Sequence, residues 1–91
     1  MFEWDETKRI TNLMKHHIDF LDAAEVFLQD HLILPARSEV EQRQIAISEL
    51  NGVCISVIFT IRENNYRLIS ARKARTDERQ RFQAHVAGRD S

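Results

Sequence analysis

The sequence contains one cysteine, one proline and two glycines among 91 residues, and these scarcities narrow the class of protein. A lone cysteine, Cys54, cannot close an internal disulfide, which argues against a disulfide-stapled secreted domain. No apolar run approaches the roughly 18 residues of a membrane span. With no linker-like stretch, the length predicts one domain over residues 1–91. The start of the chain lacks a secretory signal pattern, so we expect a cytoplasmic protein without membrane contact.

The net charge of -1 conceals an uneven distribution along the chain. Residues 1–50 carry ten acidic and five basic side chains, whereas residues 51–91 carry four acidic and eight basic ones. The basic residues concentrate at the end of an apolar segment, in Arg72-Lys73-Ala74-Arg75 and the residues that follow. Such a cluster is typical of a surface that binds a polyanion or an acidic protein partner.

Two helices are predicted near the N-terminus, after a short strand at residues 2–4. Asp5 is a good N-cap for a helix over residues 6–16, and Asp19 for a helix over about 20–29. Helical spacing predicts that each helix buries one apolar face. The predicted core positions are Ile10, Leu13, Met14 and His17 in the first helix and Phe20, Ala23, Ala24, Phe27 and Leu28 in the second.

A sheet is predicted in the middle of the chain. The strands should cover residues 31–35, where the only proline ends the strand, then 42–50, 53–62 and 66–73, with a hairpin turn at Asn51-Gly52. A last helix should follow over about 77–86, capped by Thr76. The fold class is therefore α+β: an antiparallel sheet with two N-terminal helices on one face and a C-terminal helix.

The register of the last hairpin decides which side chains share a face. A three-residue loop at 63–65 places Phe59 opposite Ile69 and Val57 opposite Ala71 in the core. A two-residue loop at Asn64-Asn65 would turn Arg72 into the core, where an unpaired charge is costly. We therefore expect the three-residue loop and an open polar face suited to extended nucleic acid. The residues expected on that face are Ser56, Thr60, Arg62, Tyr66, Ser70 and Arg72.

Several motifs resemble, in order, the BrnT toxins of bacterial type II toxin–antitoxin systems. They are Phe2-Glu3-Trp4-Asp5, Asn12-x-x-Lys15-His16, Ala23-Ala24-x-Val26-Phe27, Glu41-x-Arg43, Thr60-x-Arg62 and Arg67-x-Ile69-Ser70-Ala71-Arg72. His17 and Ser48 stand where glycine is common in the family. The resemblance implies a RelE-like fold, cleavage of RNA that arrests translation and growth, and neutralisation by a BrnA-type antitoxin with a ribbon-helix-helix domain. We expect a 2:2 complex that contacts operator DNA only through the antitoxin.

Cleavage of RNA without a metal or cofactor requires a base, cations for the phosphorane charge and an acid for the leaving oxygen. The catalytic candidates are His16, Arg43, Arg62 and Arg72. Further RNA contacts are expected from Lys15, Tyr66, Arg67 and Lys73, and antitoxin contacts from Arg72, Lys73, Arg75 and Arg79.

Each of these roles has a structural alternative. Arg43 could pair with Glu39 or Glu41, His16 could cap a helix end, and Tyr66 could cover the sheet edge. The alternative function is a non-catalytic module that binds RNA or protein through the same basic face.

Overall fold

The computed structural model describes residues 1–36 and 42–89. These residues form three helices, a 3₁₀ segment and five strands, which confirm the α+β class. In chain order they are β1 Phe2–Glu3, α1 Glu6–His16, α2 Phe20–Ala23, the 3₁₀ segment Ala24–Leu28, β2 Leu32–Ala36, β3 Arg43–Leu50, β4 Val53–Arg62, β5 Asn65–Lys73 and α3 Thr76–Arg89.

The five strands form one mixed sheet in the order β1-β5-β4-β3-β2. Four strands are antiparallel neighbours as predicted, but β1 pairs with β5 in parallel, so the sheet is not purely antiparallel. Pro35 does not end β2, which continues to Ala36. An edge strand tolerates proline because one side of its backbone needs no partner. Asn51 and Gly52 form the predicted turn, with φ of 53° and 80°.

The main core lies between the sheet and the segment formed by α2 and the 3₁₀ residues. Phe20 and Val26 are fully buried there against Val57 and Phe59 of β4. Leu28, predicted as a core residue, is instead 80% exposed. The helical period tightens from 3.6 to 3 residues per turn at Ala24, which turns Val26 inward and Leu28 outward.

Helix α1 has the predicted bounds and N-cap but faces the opposite way. The exposed fractions of Ile10, Leu13 and Met14 are 47%, 37% and 76%, so the prediction that they lie in the core is wrong. His17 is also exposed. The buried residue of α1 is Asn12, which is only 6% exposed. The helix therefore presents a polar stripe to the protein and its apolar stripe to the surface.

Asn12 explains this orientation because its amide bonds to the free edge of β5. Its Nδ2 donates to the carbonyls of Ala71 at 2.9 Å and Ile18 at 3.0 Å, and its Oδ1 accepts from the Ala71 N–H at 3.1 Å. The Ser70 hydroxyl adds a contact of 3.3 Å. The side chain thus pairs with Ala71 as a neighbouring strand would, where β1 no longer covers the edge.

The last hairpin has a two-residue turn and a β-bulge instead of the predicted three-residue loop. Glu63 and Asn64 adopt φ of 52° and 68°, as in a type I′ turn, and Arg62 pairs with Asn65. An extra residue, Ile69, then shifts the register, so that Phe59 faces Leu68 while Val57 still faces Ala71 as predicted.

The changed register moves Tyr66 to the face of the sheet that α2 and the 3₁₀ segment cover. The strand pairing sets it opposite Ile61, and its ring stacks on Phe27 with centroids 4.8 Å apart. The prediction that Tyr66 shares a face with Thr60 and Arg62 is therefore wrong. Arg67, opposite Thr60, takes that place.

Helix α3 packs on the other face of the sheet. It begins at Thr76 rather than after it, since the Glu78 carboxylate accepts the Arg75 backbone N–H at 2.8 Å and closes the first turn. Glu78 and Phe82 are buried, as is Ser56 beneath them, so the expected open face is partly covered. In the described part of the chain, no helix is long and apolar enough to cross a membrane.

We predict that Asn12→Ala destabilises the protein by roughly 2–4 kcal/mol, because it leaves the buried N–H and C=O of Ala71 without partners. Urea unfolding followed by circular dichroism measures the change. The neighbouring exposed Thr11, substituted by Ala, should change stability by less than about 0.5 kcal/mol. Equal stability of Asn12→Ala and wild type would contradict the role assigned to this amide.

Candidate RNA-cleavage site

The part of the sheet that α3 leaves uncovered is a shallow depression of about 460 Å³, which we call the sheet groove. Its floor is apolar, formed by Ile45, Ile58 and Ile69. Its rim is cationic and contains Arg43, Arg72 and Arg75. An apolar floor with guanidiniums around it can hold a base or ribose against the sheet while the rim contacts phosphate.

A second depression of about 320 Å³, the edge groove, lies between α1 and the β5 edge. Lys8, Lys15 and His16 line it from the helix, spaced so that they share the stripe that also contains Asn12. Arg43, Ile69 and Ser70 belong to both grooves, which are therefore one continuous surface. Three of the four predicted catalytic residues, His16, Arg43 and Arg72, line this surface.

The surroundings of His16 on this surface lower its pKa. Desolvation lowers the pKa of this imidazole below its ordinary value, and the positive charges of Lys15 and Arg72 lower it further. A lowered pKa enlarges the neutral fraction near pH 7, and the neutral imidazole is the form that can accept a proton. His16 is the last residue of α1, so helix formation fixes its backbone.

Arg72 is held by a buried acid. Its Nη1 lies 2.7 Å from Glu78 Oε1 and its Nη2 lies 3.0 Å from Oε2, a two-pronged pair with only 17% and 8% of the side chains exposed. Arg72 lowers the pKa of Glu78 to about 2, with help from the Arg75 N–H and the Ser56 hydroxyl. Loss of activity in Arg72→Ala would therefore not separate phosphate binding from the burial of an unpaired Glu78.

The remaining RNA-contact candidates lie apart from each other. Arg67 bonds to Glu3 at 2.7 Å, and Tyr66 packs on Phe27. Lys73 pairs with Ile55 and lies on the face of the sheet that α2 covers. Of these candidates only Lys15 lies in the edge groove.

The structure separates Arg62 from Arg72. Arg62 lines a different depression, with Gln42, Gln44 and Thr60, and lies six residues and roughly 20 Å along β4 from the position that pairs with Arg72. Arg43 lies nearer to Arg62, because its neighbour Gln44 pairs with Phe59. Glu39 and Glu41, the alternative partners of Arg43, lie outside the described residues.

The predicted antitoxin contacts are also divided between surfaces. Arg75 and Arg79 are exposed one helical turn apart at the start of α3, and Arg75 reaches the rim of the sheet groove. Arg72 forms an ion pair with Glu78. Lys73 lies on the opposite face of the sheet from Arg72.

Two important residues, Asn12 and Glu78, are not among the predicted site residues. A polar residue of low helix propensity inside a helix, such as Asn12, often bonds to nearby backbone, and this is a usable signal. A glutamate three residues after the residue that precedes a helix, as Glu78 is after Arg75, often closes the first turn. Its pairing with Arg72 has no local signal, because the pair depends on how α3 crosses the sheet.

These features define a small α+β protein with a cationic groove built around a histidine at a sheet edge. A family model described as the ribonuclease toxin BrnT of type II toxin–antitoxin systems matches residues 4–78. The chain therefore belongs to the BrnT family of ribonuclease toxins, whose systems pair the toxin with an antitoxin. A comparison with curated proteins finds no match.

The two positions where glycine was expected have clear local roles. His17 ends α1 in the left-handed conformation with φ of 60°, which glycine adopts without cost, and its N–H donates to the Leu13 carbonyl at 2.9 Å. The helix end is thus regular despite the imidazole. Ser48 is buried and donates to the Asp30 carbonyl at 2.7 Å, which ties β3 to the segment before β2.

We predict that Glu78 makes stability pH-dependent. Its pKa is lowered from 4.5 to about 2, so its contribution is present above about pH 5 and is lost as pH falls towards 2. Between pH 6 and pH 2 the wild type should lose roughly 3 kcal/mol more stability than Glu78→Gln, measured by urea unfolding. Glu25→Gln, at an exposed site, should behave as wild type. Parallel pH curves for wild type and Glu78→Gln would contradict this assignment.

Proposed function

We propose that the chain is a metal-independent endoribonuclease that cleaves RNA on the continuous surface of the edge and sheet grooves. The observation that carries the proposal is the convergence of His16 from α1, Arg43 from β3 and Arg72 from β5. These residues are far apart in sequence and come from three separate elements. Their types match the proton acceptor and phosphate cations that metal-free cleavage needs.

In this proposal His16 accepts the proton of a ribose 2′-OH. The 2′ oxygen then attacks the adjacent phosphorus, the bond from phosphorus to the 5′ oxygen breaks, and the 5′ oxygen takes up a proton from solvent. The products are a 2′,3′-cyclic phosphate and a 5′-hydroxyl end. The lowered pKa of His16 supports this role, because the imidazole is neutral and able to accept a proton at neutral pH.

Arginines supply the charge that stabilises the phosphorane. Arg43 lies where the two grooves meet, so we assign it the phosphate next to His16. Arg72 has further N–H groups beyond those bonded to Glu78 and forms the opposite rim. Lys8 and Lys15 hold the backbone that continues along α1. Arg62 is assigned a neighbouring phosphate of the same strand.

The pH dependence of cleavage tests the role of His16. The wild-type rate should fall on acidification through a pKa below the ordinary histidine value, and His16→Gln should lose this limb together with roughly 10²–10⁴-fold in rate. Lys15→Met removes a positive charge beside His16, so the pKa of His16 should rise and the limb should move to higher pH.

The measurement is kcat against pH with a fluorescent RNA oligonucleotide in excess EDTA. Arg81→Met, an exposed cation on α3, is the matched control and should leave the profile unchanged. Rates abolished by EDTA would exclude the metal-independent mechanism. Binding of RNA with no cleavage at any pH would favour the non-catalytic module instead.

We also propose that the antitoxin is of the BrnA type, with a ribbon-helix-helix domain that dimerises on operator DNA and holds two copies of this chain. Arg75 and Arg79 are its proposed contacts, because a partner covering both would also cover the rim of the sheet groove. Inhibition would then follow from occlusion of substrate.

Co-expression with the adjacent antitoxin gene tests this assembly. Affinity purification and light scattering should recover a 2:2 complex, and Arg75→Glu combined with Arg79→Glu should weaken it at least tenfold. Arg81→Glu, which points away from these two residues on α3, should leave the complex intact. A complex of other stoichiometry, or one indifferent to the double substitution, would contradict the proposed interface.

A further inference from the structure

Another depression lies beneath the turn between α1 and α2, on the face of the sheet that α2 covers. We call it the turn pocket, and its volume is about 300 Å³. Ile18, Leu50 and Val53 form apolar walls, while His17, Asp22 and Lys73 supply polar groups. This volume is at the lower end of the roughly 300–1,000 Å³ typical of small-molecule sites. It suits a single planar ring system better than a peptide helix.

The turn pocket adjoins the proposed cleavage site through one residue. His16 lines both the turn pocket and the edge groove, so it stands on the wall between them. A nucleotide whose 2′-OH is next to His16 therefore has a neighbouring base within reach of the turn pocket. The continuity of the two sites favours RNA substrate over an unrelated ligand.

The polar groups of the pocket are available to a ligand. Within residues 1–36 and 42–89, the side chains of Asp22 and Lys73 make no hydrogen bond or ion pair, and both residues are exposed. A carboxylate only accepts hydrogen bonds and can take two adjacent donors. Guanine is the RNA base with two adjacent donors, N1–H and N2–H, on its Watson–Crick edge, and its O6 can accept from an ammonium.

The backbone conformation of His17 also supports a binding role for the turn pocket. A residue other than glycine in the left-handed region is uncommon and carries a cost, yet here it places an imidazole at the rim of the pocket. An imidazole at that position can stack on a bound base.

We propose that the turn pocket binds the base next to the scissile phosphate and favours guanine, with Asp22 accepting from its Watson–Crick edge and His17 covering its face. This inference rests on the proposed ribonuclease function, because it places the base relative to His16. It makes the pocket a determinant of cleavage sequence, distinct from the residues that perform the chemistry.

The test uses DNA oligonucleotides with a single ribonucleotide, so that only one bond can be cleaved, and with each of the four bases placed in turn on either side of it. Wild type should favour guanine at one of the two positions by about tenfold or more in kcat/KM. Asp22→Asn should reduce this preference to about threefold or less by lowering kcat/KM for the guanine substrate more than for the other three. Glu25→Gln, an exposed acid outside the pocket, is the matched control.

His17→Gly is the second variant, because glycine keeps the left-handed backbone and removes only the ring. It should raise KM for the guanine substrate severalfold with kcat unchanged. If wild type cleaves nothing, the ribonuclease proposal fails, and fluorescence anisotropy with all-deoxy oligonucleotides decides the pocket separately. In that assay, tighter binding of guanine-containing oligonucleotides by wild type but not by Asp22→Asn would support the assignment of the turn pocket.

Three results would overturn the proposal. They are no base preference at either position, a preference that Asp22→Asn leaves unchanged, and loss of antitoxin affinity in Asp22→Asn without a change in base preference. The last result would assign the pocket to the protein partner.

Discussion

The hydrogen bonds between Asn12 and Ala71 determine where the edge groove forms. They fix α1 against the part of β5 that β1 leaves uncovered. Because Lys8, Lys15 and His16 are on the same stripe of α1 as Asn12, the same bonds bring these side chains over the β5 edge to Ser70 and Arg43. One amide thus converts an edge of the sheet, usually a site for another strand, into a wall of the proposed cleavage site.

Patterns among neighbouring residues predict the bounds of the helices and strands well. They predict less well which residues of each element face the core. The bounds of α1 and β4 match because caps, turns and alternation are encoded in neighbouring residues. The orientation of α1 and the bulge at Ile69 were missed, since both depend on contacts between distant segments. For the site, residue types and strand ends predict His16, Arg43 and Arg72, which the fold brings to one surface, while the distance between Arg62 and Arg72 and the pairing of Arg72 with Glu78 follow only from the fold.

The charge separation seen along the sequence does not persist in space. Glu3 of the acidic half pairs with Arg67, and Asp30 pairs with His85 and Arg89 at the end of α3. These pairs neutralise basic residues outside the grooves. Lys8, Lys15, Arg43 and Arg75 line the two grooves, so the fold brings part of the positive charge of a nearly neutral chain onto one surface.

The proline in β2 has a consequence for the protein once its antitoxin is gone. Within the described residues, β2 is one outer strand of the sheet, and Pro35 removes a backbone donor from it. The other outer strand, β1, is two residues long, and Asn12 occupies the edge beyond it. Neither edge offers a long stretch of unpaired backbone to a strand of another molecule. A toxin released from its inhibitor therefore presents two sheet edges that offer little backbone for strand pairing with a second copy.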